Sequence, residues 1–411
     1  MKSQLDELMK KYGADGLLVF GPAMQNPSMV YFTGIVHVTN AILIKKYKQE
    51  PILIHPSMER DEAAHTGLKL KSFNDYPISE LLKAAHNDRV VALGMRLRKI
   101  LQDVGLESGQ VILYGQVDLG SNYEIIGAVQ KLMPKIKFKG MVIDPILLQA
   151  MMTKDEEEIR QIKKMADITV ETVKRTRDFL QSRKTKDEIL LDEVGKPLTI
   201  GKVKSLINLT LAELGAENPE GTIFAIGRDA GVPHSSGNDK DVIRLGVPIV
   251  FDIYPCQAGG GYFYDFTRTW CLGYAPEDLK KLYEQVLSVY KDVVSELKPG
   301  LPFKMIQDKT CDLFEKMGHI TVRKDPKTEQ GYVHSVGHGV GLRVHEMPFS
   351  GTDSTPEDAL LPGTVFTIEP GLYYPDHGAG VRLEDTYWMD SKGKAVKFAD
   401  FPMDLVLPMK S

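Results

Sequence analysis

Between Gly16 and Leu113 the chain alternates short apolar runs with longer polar, helix-capable stretches. Leu17-Leu18-Val19-Phe20, Ala41-Ile42-Leu43-Ile44, Ile52-Leu53-Ile54 and Val90-Val91-Ala92-Leu93 have the length and character of buried strands. That alternation predicts an α/β domain. Near residue 150 the texture changes. Thr153-Lys154-Asp155-Glu156 has the form of a capping box, so a helix is expected to start there, with Thr153 accepting from first-turn amides and Glu156 reaching back. Ile159, Ile162, Ala166, Thr169, Val170 and Val173 follow at helical spacing and leave Glu157, Arg160, Lys163, Lys164 and Asp167 for solvent. A domain boundary just before this helix divides the chain into 1–150 and 151–411.

In the larger part, Thr185-Lys186-Asp187-Glu188 repeats the capping-box form, and Pro276 opens another helical stretch. Strand-like segments surround them: Val247–Ile253, Tyr262–Trp270, Val365–Glu369 and Val381–Glu384, with Gly259-Gly260-Gly261 placed as a hairpin loop between the first two. No tandem repeat or low-complexity tract interrupts the pattern.

Composition narrows the function classes. Hydrophobic residues at 43% and charged residues at 26% are those of a folded globular chain. Lys+Arg 51 against Asp+Glu 55 leaves a net charge of −4 with no basic block, so neither nucleic acid nor an anionic membrane has an electrostatic footprint. The opening Met1–Lys11 mixes acids and bases and builds no apolar run, which points to the cytosol by default. Cys256, Cys271 and Cys311 form no C-x-x-C pair and read as buried reduced thiols.

Each of the four later strands carries an acid among apolar neighbours: Asp252, Asp265, Glu369 and Glu384. A carboxylate on a half-exposed strand is ordinary, because alternate side chains face water. An isolated buried one is costly unless cations or donors hold it charged. Four in one domain ask for a common cation, and His338, flanked by Gly337 and Gly339, adds an imidazole with room for approach. Four ionised carboxylates balance two divalent cations. The donor set suits Mn²⁺, with Co²⁺ or Zn²⁺ able to use the same side chains, and two such ions sharing a water would support amide hydrolysis. The glycines around His338 lack the dinucleotide spacing. His345-Glu346-Met347-Pro348 lacks the second His of a zincin helix.

These motifs, Gly261-Tyr-Phe-Tyr-Asp-Phe-Thr-Arg-Thr269, Gly337-His-Gly-Val-Gly341, Ile368-Glu-Pro-Gly371 and Gly380-Val-Arg-Leu-Glu-Asp385, resemble those of the pita-bread metallopeptidases. His334–Glu346 is similar to the signature of the proline-specific members, aminopeptidase P and Xaa-Pro dipeptidase, rather than methionine aminopeptidase. Tyr31-Phe-Thr-Gly34 is similar to a motif of their creatinase-like N-terminal domain. The resemblance implies an α+β architecture: a pita-bread catalytic domain with a curved antiparallel sheet flanked by helices, preceded by a creatinase-like α/β domain. It implies a dinuclear site with Asp252, Asp265, His338, Glu369 and Glu384 as ligands, Asp265 and Glu384 bridging. A metal-bridging hydroxide would attack the Xaa-Pro bond of dipeptides or peptide N-termini, and Glu369 would shuttle the proton. His234 matches the family's histidine near the leaving group, and His345 the one that contacts the substrate carbonyl. His334 and Arg382 match residues on the substrate side or behind the ligands. The implied partners are a peptide with proline second and, in a homodimer, another copy of the chain.

Two features depart from the family pattern. Asp252 and Asp265 are 265 − 252 = 13 apart, wider than usual, and Tyr254 stands where the family often has Gly. A longer hairpin loop through the three glycines accounts for the spacing, and an odd separation preserves the pairing parity. Two other readings are a creatinase-like, metal-independent hydrolase of a small C–N substrate and a non-catalytic pita-bread binding protein. The retained ligand set opposes both.

Overall fold

A computed structural model describes residues 4–142, 144–352 and 354–410; Met1–Ser3 of the opening segment lie outside them. The chain divides into two compact units, Met1–Met151 with Gly259–Gly261, and Met152–Ala258 with Tyr262–Ser411. Among the described residues no helix is long and apolar enough to cross a membrane.

The first unit is built on a six-stranded sheet of β1 (Gly16–Gly21), β2 (Ala41–Lys46), β3 (Ile52–His55), β4 (Lys69–Ser72), β5 (Gly109–Gly115) and β6 (Ile136–Lys139), in the order β4-β3-β2-β1-β5-β6. The pairs β3–β4, β1–β5 and β5–β6 are parallel. Both faces are covered. Leu18, Ile44 and Ile54 pack with Leu97, Ile100 and Val129, while Val19, Leu43 and Leu53 pack with Met29 and Ala63. That is why these strands read as continuous apolar runs. Val90–Leu93 corrects the strand reading: it is the first turn of α1 (Arg89–Asp103), where the Asp88 side chain accepts from the Val91 amide at 3.0 Å. The cap and the helical spacing of Leu97, Ile100 and Leu101 outweigh a short β-branched run.

The second unit opens with α2 (Glu156–Gln181), two residues later than the Thr153 box predicts. Asp155 is the N-cap, and Glu158 returns the bond to its amide. Thr153 instead bridges Thr364, and the Lys154 amide donates to Gly363 O at 2.8 Å. The second box is also corrected. Thr185–Lys186 and Ile189–Leu190 form a hairpin whose turn residues, Asp187 and Glu188, have φ of 50° and 61°. There, pairing of Leu190 with Ile243 overrides the local capping signal. Pro276 does cap a helix, α3 (Glu277–Ser295), which is followed by α4 (Phe303–Lys316).

Two sheets carry the chemistry-bearing segments. One contains β7 (Thr222–Ile226), β8 (Pro248–Ile253), β9 (Phe266–Leu272) and, from the far end of the sequence, β10 (Val406–Leu407), in that order. The other is ordered Glu346–Phe349, His338–Gly339, Val365–Ile368, Asp385–Met389 and Ala395–Lys397. A ribbon pairs Gly371–Tyr374 with Ala379–Arg382. Glu384 bridges Thr267 and so ties the two sheets together. In the first sheet Asp252 lies opposite Thr267. Asp265, two residues before Thr267, therefore shares its face with Asp252.

Candidate metal centre

His338, Asp265 and Glu384 each place a ligand atom within 4.8 Å of the others, all three buried. His338 Nε2 is 3.6 Å from Asp265 Oδ2 and 3.4 Å from Glu369 Oε1. The Nδ1 of His338 lies 3.1 Å from Gly339 O, so that nitrogen carries the proton and Nε2 presents its lone pair to the carboxylates. Asp252 is buried on the same strand face, and its charge is felt at Asp265, Glu369 and Glu384.

Four acids this close cannot all be ionised unaided. Burial, then the charges of Asp252 and Glu369, hold Asp265 well above the ordinary carboxylate range. Burial, then Asp265, Glu369 and Asp252, does the same to Glu384. Glu369 is pushed up to about 8, chiefly by burial, with Arg382 opposing and Asp252 adding to the rise. Burial and His345 hold His338 down at about 3, so it is a neutral imidazole. Asp252 Oδ1, Asp265 Oδ1 and Glu384 Oε1 are buried and have no hydrogen-bond partner among the described residues. Partnerless carboxylate oxygens around a free imidazole nitrogen fit divalent cations and little else.

The surroundings orient these groups. Buried Arg382 donates from Nη2 to Asp252 Oδ2 at 2.5 Å, from Nη1 to Tyr373 Oη at 2.8 Å and Pro233 O at 3.2 Å, and from Nε to Thr267 Oγ1 at 3.3 Å. The Tyr373 hydroxyl passes the contact to His334 Nε2 at 2.8 Å, and His334 is kept neutral by burial and by Arg382, its pKa lowered to about 3. His345 is exposed and its ring centroid is 4.2 Å from that of His338. His234 is exposed in the turn after Asp229–Gly231, near enough to disfavour protonation of His334 and His345. Tyr254, two residues after Asp252, is half-buried, and burial with the charges of Asp252 and Asp265 raises its pKa.

The family model described as Metallopeptidase family M24 matches residues 160–391, more than half of the chain and all nine of the residues above that the sequence singles out as ligands or substrate contacts. The chain belongs to this family. As an M24 metallopeptidase it is 27% identical to the Xaa-Pro dipeptidase of Pyrococcus horikoshii over 390 residues, 94% of this chain and 93% of that one. It is 32% identical to the Xaa-Pro dipeptidase of Pyrococcus furiosus over 253 residues, 61% of this chain and 64% of that one. Among solved structures, a dipeptidase from Pyrococcus horikoshii superposes with a TM-score of 0.74 at 24% identity, covering 99% of each chain. An X-Pro aminopeptidase from Thermotoga maritima gives 0.72 at 23% identity, also covering 99% of each. The fold is the pita-bread α+β fold, preceded by an α/β unit.

Several residues that sustain this M24 site escape sequence reading. Thr267 Oγ1 donates to Glu384 Oε2 at 2.7 Å. Arg268 Nη1 donates to Glu384 O at 2.7 Å, and its Nη2 to Asp385 Oδ1 at 2.8 Å, so the strand beneath the acids is itself held by a buried ion pair. Tyr373 was discoverable in principle: it lies two residues from Gly371, which pairs with Arg382, so strand alternation puts the two on one face.

Proposed function

We propose that this M24 member hydrolyses Xaa-Pro dipeptides with two divalent ions held by Asp252, Asp265, His338, Glu369 and Glu384, Mn²⁺ being the preferred pair. The observation that carries the reading is the buried cluster of Asp265, His338 and Glu384, in which Asp265 Oδ1 and Glu384 Oε1 have no hydrogen-bond partner among the described residues. The named Xaa-Pro dipeptidase relative aligned over 94% of the chain supports the substrate class. Asp265, His338 and Glu384, whose ligand atoms lie within 4.8 Å of one another, would form the centre of that ligand set. Bound there, the ions supply Lewis acidity, acidifying a water and polarising the scissile carbonyl.

The remaining work falls to protein groups. The bond to proline joins a nitrogen without a hydrogen, so the departing amine must be given a proton. Glu369, 14% exposed at its side chain against 10% for Asp252 and 6% for Asp265, is the most solvent-open of the three acids and serves as the proton carrier. His345, exposed beside His338, reaches the substrate carbonyl, where a donor aimed at developing charge gains most. His234 lies on the leaving-group side. Neutral His334 and Arg382 keep Tyr373 and Asp252 in place. A homodimer in the cytosol completes the proposal; light scattering after size-exclusion chromatography tests the dimer.

The deciding experiment strips the protein with a chelator and reloads it with Mn²⁺, Co²⁺ or Zn²⁺. Xaa-Pro dipeptides, Xaa-Pro-Yaa tripeptides and non-proline dipeptides are then compared. Mn²⁺-dependent turnover confined to Xaa-Pro dipeptides is expected. Preference for the tripeptides would make it an aminopeptidase, and full activity in chelator would remove the metal from the reaction.

A further inference from the structure

His345, immediately before the strand Glu346–Phe349, is exposed, whereas the first residue of that strand, Glu346, is completely buried. Beneath that strand Glu346 Oε1 forms an ion pair with Lys154 Nζ, with side-chain exposures of 0% and 1%. Lys154 does not move freely to meet it. Its amide donates to Gly363 O at 2.8 Å, and the preceding Thr153 bridges Thr364, so its backbone is anchored to an adjacent turn. The loop above is shaped to admit the carboxylate. A Cβ on Gly341 would stand 2.1 Å from Glu346 Oε1, and Gly341 O accepts from the Phe263 amide at 2.8 Å. Gly339 pairs with Glu346, with a register irregularity between His338 and Gly339.

A buried ion pair is seldom the most stabilising choice at such a place, since well-packed apolar side chains of similar volume are often as good or better. What a pair adds is a unique register. A one-residue slip of the strand after His345 would turn the imidazole inward and the carboxylate outward. We infer that Lys154 and Glu346 are positioning residues that lock the strand register and thereby hold the His345 imidazole against His338, 4.2 Å between ring centroids, in its working orientation. The role assigned to His345 rests on the proposed peptidase reading; the geometric part does not.

The test compares wild type, E346Q and the charge-free pair K154M/E346L, each also made with H345A, all as full-length protein loaded with diamagnetic Zn²⁺ for NMR and with Mn²⁺ for kinetics. Removing both charges together avoids leaving one of them buried alone, and E346Q is the smaller change if the pair fails to fold. Histidine-labelled NMR gives the first readout, with the His345 resonance assigned by its loss in H345A. In the altered proteins that resonance should shift or broaden while Mn²⁺ affinity, measured by calorimetry, stays within threefold. The second readout is kcat on an Xaa-Pro dipeptide, expected to fall at least tenfold when His345 is present and less than twofold in the H345A background. Equal losses in both backgrounds, or an unmoved His345 signal in a folded variant, would overturn the inference. An absence of Xaa-Pro turnover in the wild type would instead sink the proposed reaction, and the NMR readout would still decide the positioning claim.

Discussion

Replacing Arg382 by Met tests the electrostatic reading of the site. The substitution keeps much of the aliphatic stem but removes the bond to Asp252 and those to Tyr373 Oη, Pro233 O and Thr267 Oγ1. A hydrogen bond between charged partners contributes about 1.5–3 kcal/mol and a neutral partner roughly 1 kcal/mol. With allowance for the long 3.2 and 3.3 Å contacts, the loss is about 3–5 kcal/mol, the range for breaking one partner out of a buried pair. The damage also spreads electrostatically, because the Arg382 charge favours ionisation of Asp265, Glu369 and Glu384. Two divalent ions would take over that work, so with saturating Mn²⁺ the cost should shrink to about 1–2 kcal/mol, the neutral bonds alone. Both tryptophans, Trp270 and Trp388, belong to the second unit, so fluorescence-monitored urea unfolding in chelator and in Mn²⁺ reports on it selectively. A cost below 1 kcal/mol in chelator, or equal costs under both conditions, would refute the reasoning.

Glu369→Gln should lower kcat on Xaa-Pro dipeptides by about 10²–10⁴-fold through loss of the proton carrier, with a smaller change in KM, in steady-state assays. In chelator, stability should fall as pH rises from about 4.5 to about 8, because folded Glu369 retains a proton that its unfolded form, at the ordinary value of 4.5, gives up. His334 and His338, both lowered to about 3, act oppositely below pH 6.5, while Asp265 and Glu384, held above the ordinary carboxylate range, add to the loss at higher pH; a thermal-melt series in chelator should therefore give a lower Tm at pH 8 than at pH 5, and Mn²⁺ should relieve that loss. Mn²⁺ affinity should rise with pH over the same window, and titrations in buffers of different ionisation enthalpy should register released protons. Gly341→Ala should cost about 1–3 kcal/mol by overpacking against Glu346, read by urea unfolding; a neutral result would mean that the loop yields freely.

The parts readable from sequence share a physical signature. An acid inside an apolar strand, as at Asp252 or Asp265, is conspicuous because burial of a lone carboxylate is costly. The glycines around His338 are conspicuous because they remove the side chains that would crowd it. Partnerships between distant segments carry no such mark. Nothing near Lys154 announces Glu346, and nothing near Arg268 announces Asp385, since each is half of a pair made only by the tertiary structure. The misread elements failed for a related reason. Thr185–Glu188 satisfies the local rule for a helix start, yet the chain pairs Leu190 with Ile243, and Val90–Leu93 has strand-like residues but follows an aspartate that caps a helix. Local propensity was outweighed in the first case, and the wrong local signal was weighted in the second.

The short strand Val406–Leu407 lies beside Cys271–Leu272, while Pro402 O and Phe401 O accept from Arg268 on the same strand. Residues from the far end of the sequence thus cover one border of the segment that follows Asp265. A fragment cut before Phe401 would be worse than inactive: its uncovered ladder would offer unsatisfied amides and carbonyls to any neighbouring polypeptide. Such a fragment should accumulate as sticky, self-associating material, because Cys271–Leu272 would have lost the pairing that Val406–Leu407 supply.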